Sequence, residues 1–94
     1  GDDRRETMMQ ICVRLYGPLR GLYRDDQATL LLADGACVGD VRNALSQLAQ
    51  QSGNQAAAGL LAVSAIADEQ AILRDHDLIH AGAKLAVLPP VNGG

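Results

Sequence analysis

Residues 10–16 alternate between apolar and polar. Ile11, Val13 and Leu15 fall on one side, and Gln10, Cys12, Arg14 and Tyr16 on the other. That period of two predicts a half-buried β-strand. Gly17-Pro18 ends it, since proline donates no ladder hydrogen bond and disfavours the helical region for its predecessor. Leu19-Arg20-Gly21-Leu22 reads as a short turn that tucks two leucines under the sheet. The polar run 24–27 predicts a hairpin loop, and residues 28–33 a second strand.

Past Asp34-Gly35 the period changes. Val38, Val41, Leu45 and Leu48 recur at spacings of three and four, the apolar stripe of an amphipathic helix. Asp40 lies in its first turn, where a negative charge suits the helix dipole. Cys37 stands at the N-cap, where Ser, Thr, Asp or Asn is preferred. Ser52-Gly53-Asn54 ends the helix. Residues 55–59 are alanine-rich and fit either a loop or a short helical turn. Residues 60–67 have the apolar density of a strand, and 71–73 read as a short one. Residues 75–84 predict a loop with Leu78 and Ile79 pinned into the core, and 85–88 a last strand. The expected fold is α+β: a mixed sheet of four to five strands packed on one main helix, with a right-handed crossover.

The 94 residues suffice for one domain. Apolar residues make up 48%, yet there is no Trp or Phe, so the core is aliphatic. The net charge of −3 argues against a nucleic-acid binder, which needs a basic face, and against docking on anionic lipid. No apolar run approaches the roughly 20 residues of a membrane span. Cys12 and Cys37 are too few for a disulfide scaffold and read as free thiols of a cytoplasmic protein. With His76 and His80 they form no metal-ligand spacing. Residues 1–8 carry no signal-peptide pattern. They are expected to be a disordered extension or an expression remnant, with the natural start at Met8 or Met9. Residues 9–88 then form the domain and 89–94 a tail.

The tail reads Pro89-Pro90-Val91-Asn92-Gly93-Gly94. Without Cβ atoms, Gly93 and Gly94 can pass a slot too narrow for other residues. A terminal carboxylate on Gly94 is ionised at neutral pH, its reference pKa being roughly 3.3–3.7. The prolines fix φ near −65°, which lowers the entropy lost when the tail inserts elsewhere.

This ending, after the strand-like Leu85-Ala86-Val87-Leu88, closely resembles that of the small subunit of molybdopterin synthase, the MoaD group. It is less like the related thiamine sulfur carrier, ThiS, which lacks the double proline. Gly17-Pro18-Leu19-Arg20 and Val38-Gly39-Asp40-Val41 are similar to the family at the corresponding places. The resemblance spans about 9–94 and implies a ubiquitin-like β-grasp. It implies that an adenylyltransferase of the ubiquitin-activating type, using ATP, adenylates Gly94. A sulfurtransferase then supplies sulfur, leaving a thiocarboxylate. The tail (Pro89, Pro90, Val91, Asn92, Gly93) next enters a large catalytic subunit, in a heterotetramer, where the sulfur helps build molybdopterin. No cofactor bound to the chain itself is implied. A docking patch on the sheet is expected, with Leu19, Arg20, Leu22, Leu60 and Leu88 as candidates. No side chain reads as catalytic, so the chain alone is not expected to be an enzyme. The residues leave three readings open: a sulfur carrier for molybdopterin or another acceptor (thiamine, tRNA or a natural product), a ubiquitin-like modifier conjugated through Gly94, and an interaction module with an inert tail.

Overall fold

The computed structural model describes residues 8–90, with the side chain of Arg24 excepted. In chain order its elements are β1 (Met8–Leu15), β2 (Gln27–Ala33), α1 (Val38–Gln51), α2 (Gln55–Val63), β3 (Ala65–Ala67), β4 (Ile72–Leu73) and β5 (Lys84–Leu88). Met8, assigned on sequence to the extension, is the first residue of β1. The five strands lie in the order β2-β1-β5-β3-β4. β1 and β2 pair antiparallel, and β5 lands parallel to β1, with Cys12 opposite Lys84 and Leu15 opposite Val87. β3 runs antiparallel to both β5 and β4. This is the expected α+β sheet-on-helix architecture.

The alternation in β1 does what its period requires. Ile11, Val13 and Leu15 are buried against the helices, while Gln10 and Arg14 are exposed on the far face. Facing them, α1 contributes Val38, Val41, Leu45 and Ala49, all fully buried. Leu48 of the predicted stripe is half-buried, and Ala49 takes the deeper position. The core is aliphatic throughout.

Cys37 is the N-cap of α1, and the helix start is held by neighbours instead of by a good cap side chain. The carboxylate of Asp40 accepts from the Cys37 N–H at 2.9 Å. The carbonyls of Asp77 and Asp75 accept from Val38 and Gly39 at 2.9 and 2.8 Å. Those are N–H groups a helix cannot satisfy internally. Gly39 suits this approach, since a Cβ there would sit 3.3 Å from the Asp75 oxygen.

Two expectations need correcting. Residues 55–63 form a second helix, so the strand expected over 60–67 shrinks to Ala65–Ala67. Asn54, read as part of the stop of α1, also starts α2 by accepting from the Ala57 N–H at 3.0 Å. Alanine pays no side-chain entropy in a helix, and burying Ala57, Ala58 and Leu61 gives the short helix its inner face. Finally, of the pair expected in the core, Ile79 is buried but Leu78 is 67% exposed. The pieces are tied by Arg42. Its guanidinium donates to the carbonyls of Leu61 (2.7 Å) and Ser64 (2.6 Å) and pairs with Asp75 at 2.9 Å, joining α1, the end of α2 and the loop after β4. Among the described residues, no helix is long and apolar enough to cross a membrane.

Candidate functional site

The site begins where β5 ends. β5 lies between β1 and β3, with ladders on both sides, so its exit is a fixed point of the sheet. Leu85 and Val87 anchor it in the core, and Leu88 turns outward at 37% exposure. Pro89 follows, half-buried, and Pro90 is exposed. Proline cannot extend a central ladder, so the strand stops here and the chain leaves the sheet.

What Pro89 leaves against is the corner after β1. Gly17 holds φ +60°, a conformation that side-chain-bearing residues rarely adopt, and a Cβ placed there would lie 3.6 Å from Pro89 Cγ. The corner closes by three tight bonds: Leu19 N–H to Tyr16 O (3.2 Å), Arg20 N–H to Gly17 O (3.1 Å) and Leu22 N–H to Leu19 O (3.2 Å). Tyr16, 42% exposed, stands on its rim. Because β1 and β5 are parallel neighbours, their C-terminal ends lie side by side at one end of the sheet, which is why the corner and the tail base adjoin.

The candidate docking residues do not form one patch. Leu19 is only 1% exposed: the tight turn folds it into the core, so it offers no surface to a partner. Leu22 and Leu60 are half-buried and packed against the core, and Leu60 belongs to the helical layer on α2. Arg20 is exposed at the corner. Leu88 is the one apolar candidate on the open face of the sheet, paired with Ala65. Val91, Asn92, Gly93 and Gly94 lie outside the described residues.

The open face holds residues that the candidate set omitted. A shallow hollow there is lined by Cys12, Arg14, Tyr16, Lys84 and Ala86, with Asp68 and Glu69 at its margin. Ile72, 68% exposed, extends this face on β4. The signal was present in β1, whose alternation puts Cys12, Arg14 and Tyr16 opposite the core. The carboxyl of Asp68 is held below its usual pKa because the backbone N–H groups of Gln70 and Ala71 each donate to it at 2.8 Å. No group of acidic, His and Cys side chains able to hold a metal occurs among the described residues.

Comparison with known proteins places this geometry. The small archaeal modifier protein 1 of H. volcanii superposes with a TM-score of 0.69 at 18% identity, covering 88% of this chain and 99% of that one. Subunit 1 and 2 of the molybdopterin-converting factor of Helicobacter pylori, in complex, give 0.58 at 21% identity, over 92% of this chain and 100% of that one. The ubiquitin of Caldiarchaeum subterraneum gives 0.58 at 17%, over 93% of this chain and 99% of that one. At these identities the likeness establishes the ubiquitin-like β-grasp fold. None of the curated proteins matches the sequence. The ThiS family model matches residues 13–94, from inside β1 through the glycine pair. On a β-grasp fold common to sulfur carriers and ubiquitin-like modifiers, with a central strand that opens into a diproline tail, this chain belongs to the ThiS family.

Proposed function

We propose that this chain is a sulfur carrier acting through the carboxylate of Gly94, and that it supplies sulfur to molybdopterin as the small subunit of a synthase. The observation that carries the reading is the launch of the tail: a doubly paired central strand ends at Pro89, which sits beside Gly17 and starts the run Pro89-Pro90-Val91-Asn92-Gly93-Gly94. Residues 89–94 extended at ~3.3 Å each reach about 20 Å, enough for a buried site in another protein. The likeness to one subunit of a two-subunit molybdopterin-converting factor supports the choice of acceptor and of a large-subunit partner.

The chemistry is covalent activation in two steps. Within an adenylyltransferase of the ubiquitin-activating type, a carboxylate oxygen of Gly94 attacks the α-phosphorus of ATP and pyrophosphate leaves. A sulfurtransferase persulfide, reduced by a thiol, yields hydrosulfide; its sulfur attacks the acyl carbon, AMP leaves with the electrons of the broken carbon–oxygen bond, and the S–H proton passes to solvent. The product is an anionic thiocarboxylate with a soft, nucleophilic sulfur. The fold's task is to hold the tail base still while the tail itself stays thin. ATP belongs to the activating partner, and the reaction is placed in the cytoplasm.

A second reading shares the first step. The H. volcanii neighbour is named as a modifier protein, in which case a lysine amine of a target, not sulfur, would take the acyl group. Lys84 is the only lysine here, so self-linked chains would have one side-chain attachment point.

The test is intact-mass spectrometry after incubation with ATP, a sulfide source and the cognate activating enzyme, beside a Gly94-deleted control. One oxygen exchanged for sulfur in the full chain alone is expected. No exchange, with the enzyme competent on another carrier, removes the carrier reading. A mass gain on a target protein instead would establish conjugation.

A further inference from the structure

The sheet has two edges, and they are built differently. β4 has two residues, Ile72 and Leu73, and its flanking turns carry Asp68, Glu69, Arg74 and Asp75. A short edge bordered by charge is how native sheets avoid unwanted pairing. β2 has seven residues, Gln27–Ala33, with no charge and no proline. Its register with β1 is unbroken from Met8 opposite Ala33 to Arg14 opposite Gln27, so no bulge twists the edge away.

The polar groups on that edge can be assigned. Cys12 donates its N–H to Ala83, toward β5. Hydrogen-bonding direction alternates along a strand, so Ile11 and Val13 turn theirs toward β2. Their partners Leu30 and Ala28 are then the residues bonded to β1, and Thr29 and Leu31 direct their N–H and C=O groups outward. Leu31 is 66% exposed on this edge. Alongside runs a groove between the end of β2 and α1, floored by Leu32, Ala36 and Ala44 and bordered by Asp34, Asp40 and Gln47. Among the described residues, no lysine or arginine lines it.

We propose that the edge of β2, which no described strand pairs beyond β1, accepts, with the groove between it and α1, an extended, cationic segment of a partner protein as an added strand. Main-chain hydrogen bonds to Thr29 and Leu31 supply the pairing, and side chains of the incoming strand alternate between Leu31 on the open face and the Leu32–Ala44 floor. A lysine or arginine at its end meets Asp34 and Asp40. Net charge weighs against a second copy of this chain, whatever the register. Antiparallel self-pairing centred on Leu30 sets Asp34 of each copy opposite Asp26 of the other, and each copy carries a net charge of −3. This surface is separate from the tail base at Pro89 and Pro90, and the proposal is independent of how Gly94 reacts.

The experiment uses the full chain and a displayed library of twelve-residue peptides, with selected peptides synthesised and titrated by NMR. Expected are sequences alternating aliphatic residues with a terminal Lys or Arg, shifting the amide signals of residues 27–36 and 43–47. Asp34→Lys is expected to weaken them about fivefold, from the loss of one ion pair and the like-charge repulsion that replaces it. Leu31→Pro, which deletes an outward N–H that a folded edge strand can spare, is expected to weaken them further while the circular dichroism spectrum is retained. Leu31→Lys is the back-up variant should proline disturb the fold. No enrichment, or shifts confined to the open face, overturns the proposal. So does a concentration-dependent dimer that maps to β2, which would give the edge to a second copy. Binding that emerges only after residues 1–7 are removed would give the edge to the chain's own Arg4-Arg5 segment and equally overturns it.

Discussion

On the helix side of β1 and β5, Ile11, Val13, Leu15, Leu85 and Val87 are at most 4% exposed. On the opposite side, one residue away in each case, stand Cys12, Arg14, Lys84, Ala86 and Leu88. The same two strands therefore carry two populations of side chains under different constraints. The inner set excludes water and closes the core. The outer set touches little of the chain itself, so it is free to be chosen for what a partner requires. A substitution on the inner face is read out as stability, and one on the outer face as association.

The sharpest way to break this comparison is a pair of leucines three residues apart on β5. Leu85→Ala leaves a cavity in the aliphatic core and is expected to cost about 2–5 kcal/mol in urea denaturation. Leu88→Ala is expected to stay within about 0.5 kcal/mol of the parent while weakening binding to the activating enzyme or the large subunit. Comparable destabilisation by both would abolish the distinction. Arg42→Ala comes next. It removes the donors for the Leu61 and Ser64 carbonyls, and about 2–3 kcal/mol should be lost because those carbonyls remain half-enclosed.

Smaller is Tyr23, whose hydroxyl is buried without a partner among the described residues and whose pKa is raised from 10.0 by burial. A folded-state pKa above the unfolded one gives stability that is full below about pH 10 and lost as pH rises past it. Tyr23→Phe should therefore gain about 1 kcal/mol at neutral pH and flatten the alkaline limb of a thermal-unfolding profile. Smallest is Asp68, exposed, its pKa lowered by two backbone donors. Its contribution is present above the unfolded pKa and fades as pH falls through the folded one. A carboxyl NMR titration should find its midpoint below that of an ordinary aspartate, and Asp68→Asn should slightly reduce the acid sensitivity of unfolding.

Most of the frame was legible because its periods are clean. β1 and α1 each show one unambiguous spacing, and β5 is a short apolar run ended by two prolines, so the order of elements follows from them. α2 was not, because Leu60, Leu61 and Val63 in an alanine background look equally dense at period two or 3.6. Its cap, Asn54, was masked by its simultaneous place in the stop of α1. Leu78 and Ile79 were predicted together, but neighbours on extended backbone face opposite ways, so only Ile79 could enter the core. Leu19 was read both as tucked under the sheet and as a docking candidate; the first holds, and the sequence did not separate them because a tight turn has no periodicity from which to read burial. Of the site, the diproline exit could be read directly. The contact of Pro89 with Gly17 could not, since it needs the parallel placement of β1 and β5, a long-range fact.

That parallel placement also has a mechanical meaning. A partner that draws on the tail loads the chain at Pro89, along the axis of β5. With β1 on one side and β3 on the other, the load falls on two ladders at once and acts in shear, so bonds along both strands resist together. A tail hung from an edge strand would peel open one bond at a time. Under the proposed function, threading and withdrawal would thus be repeated without the act of pulling on the terminus unravelling the domain that carries it.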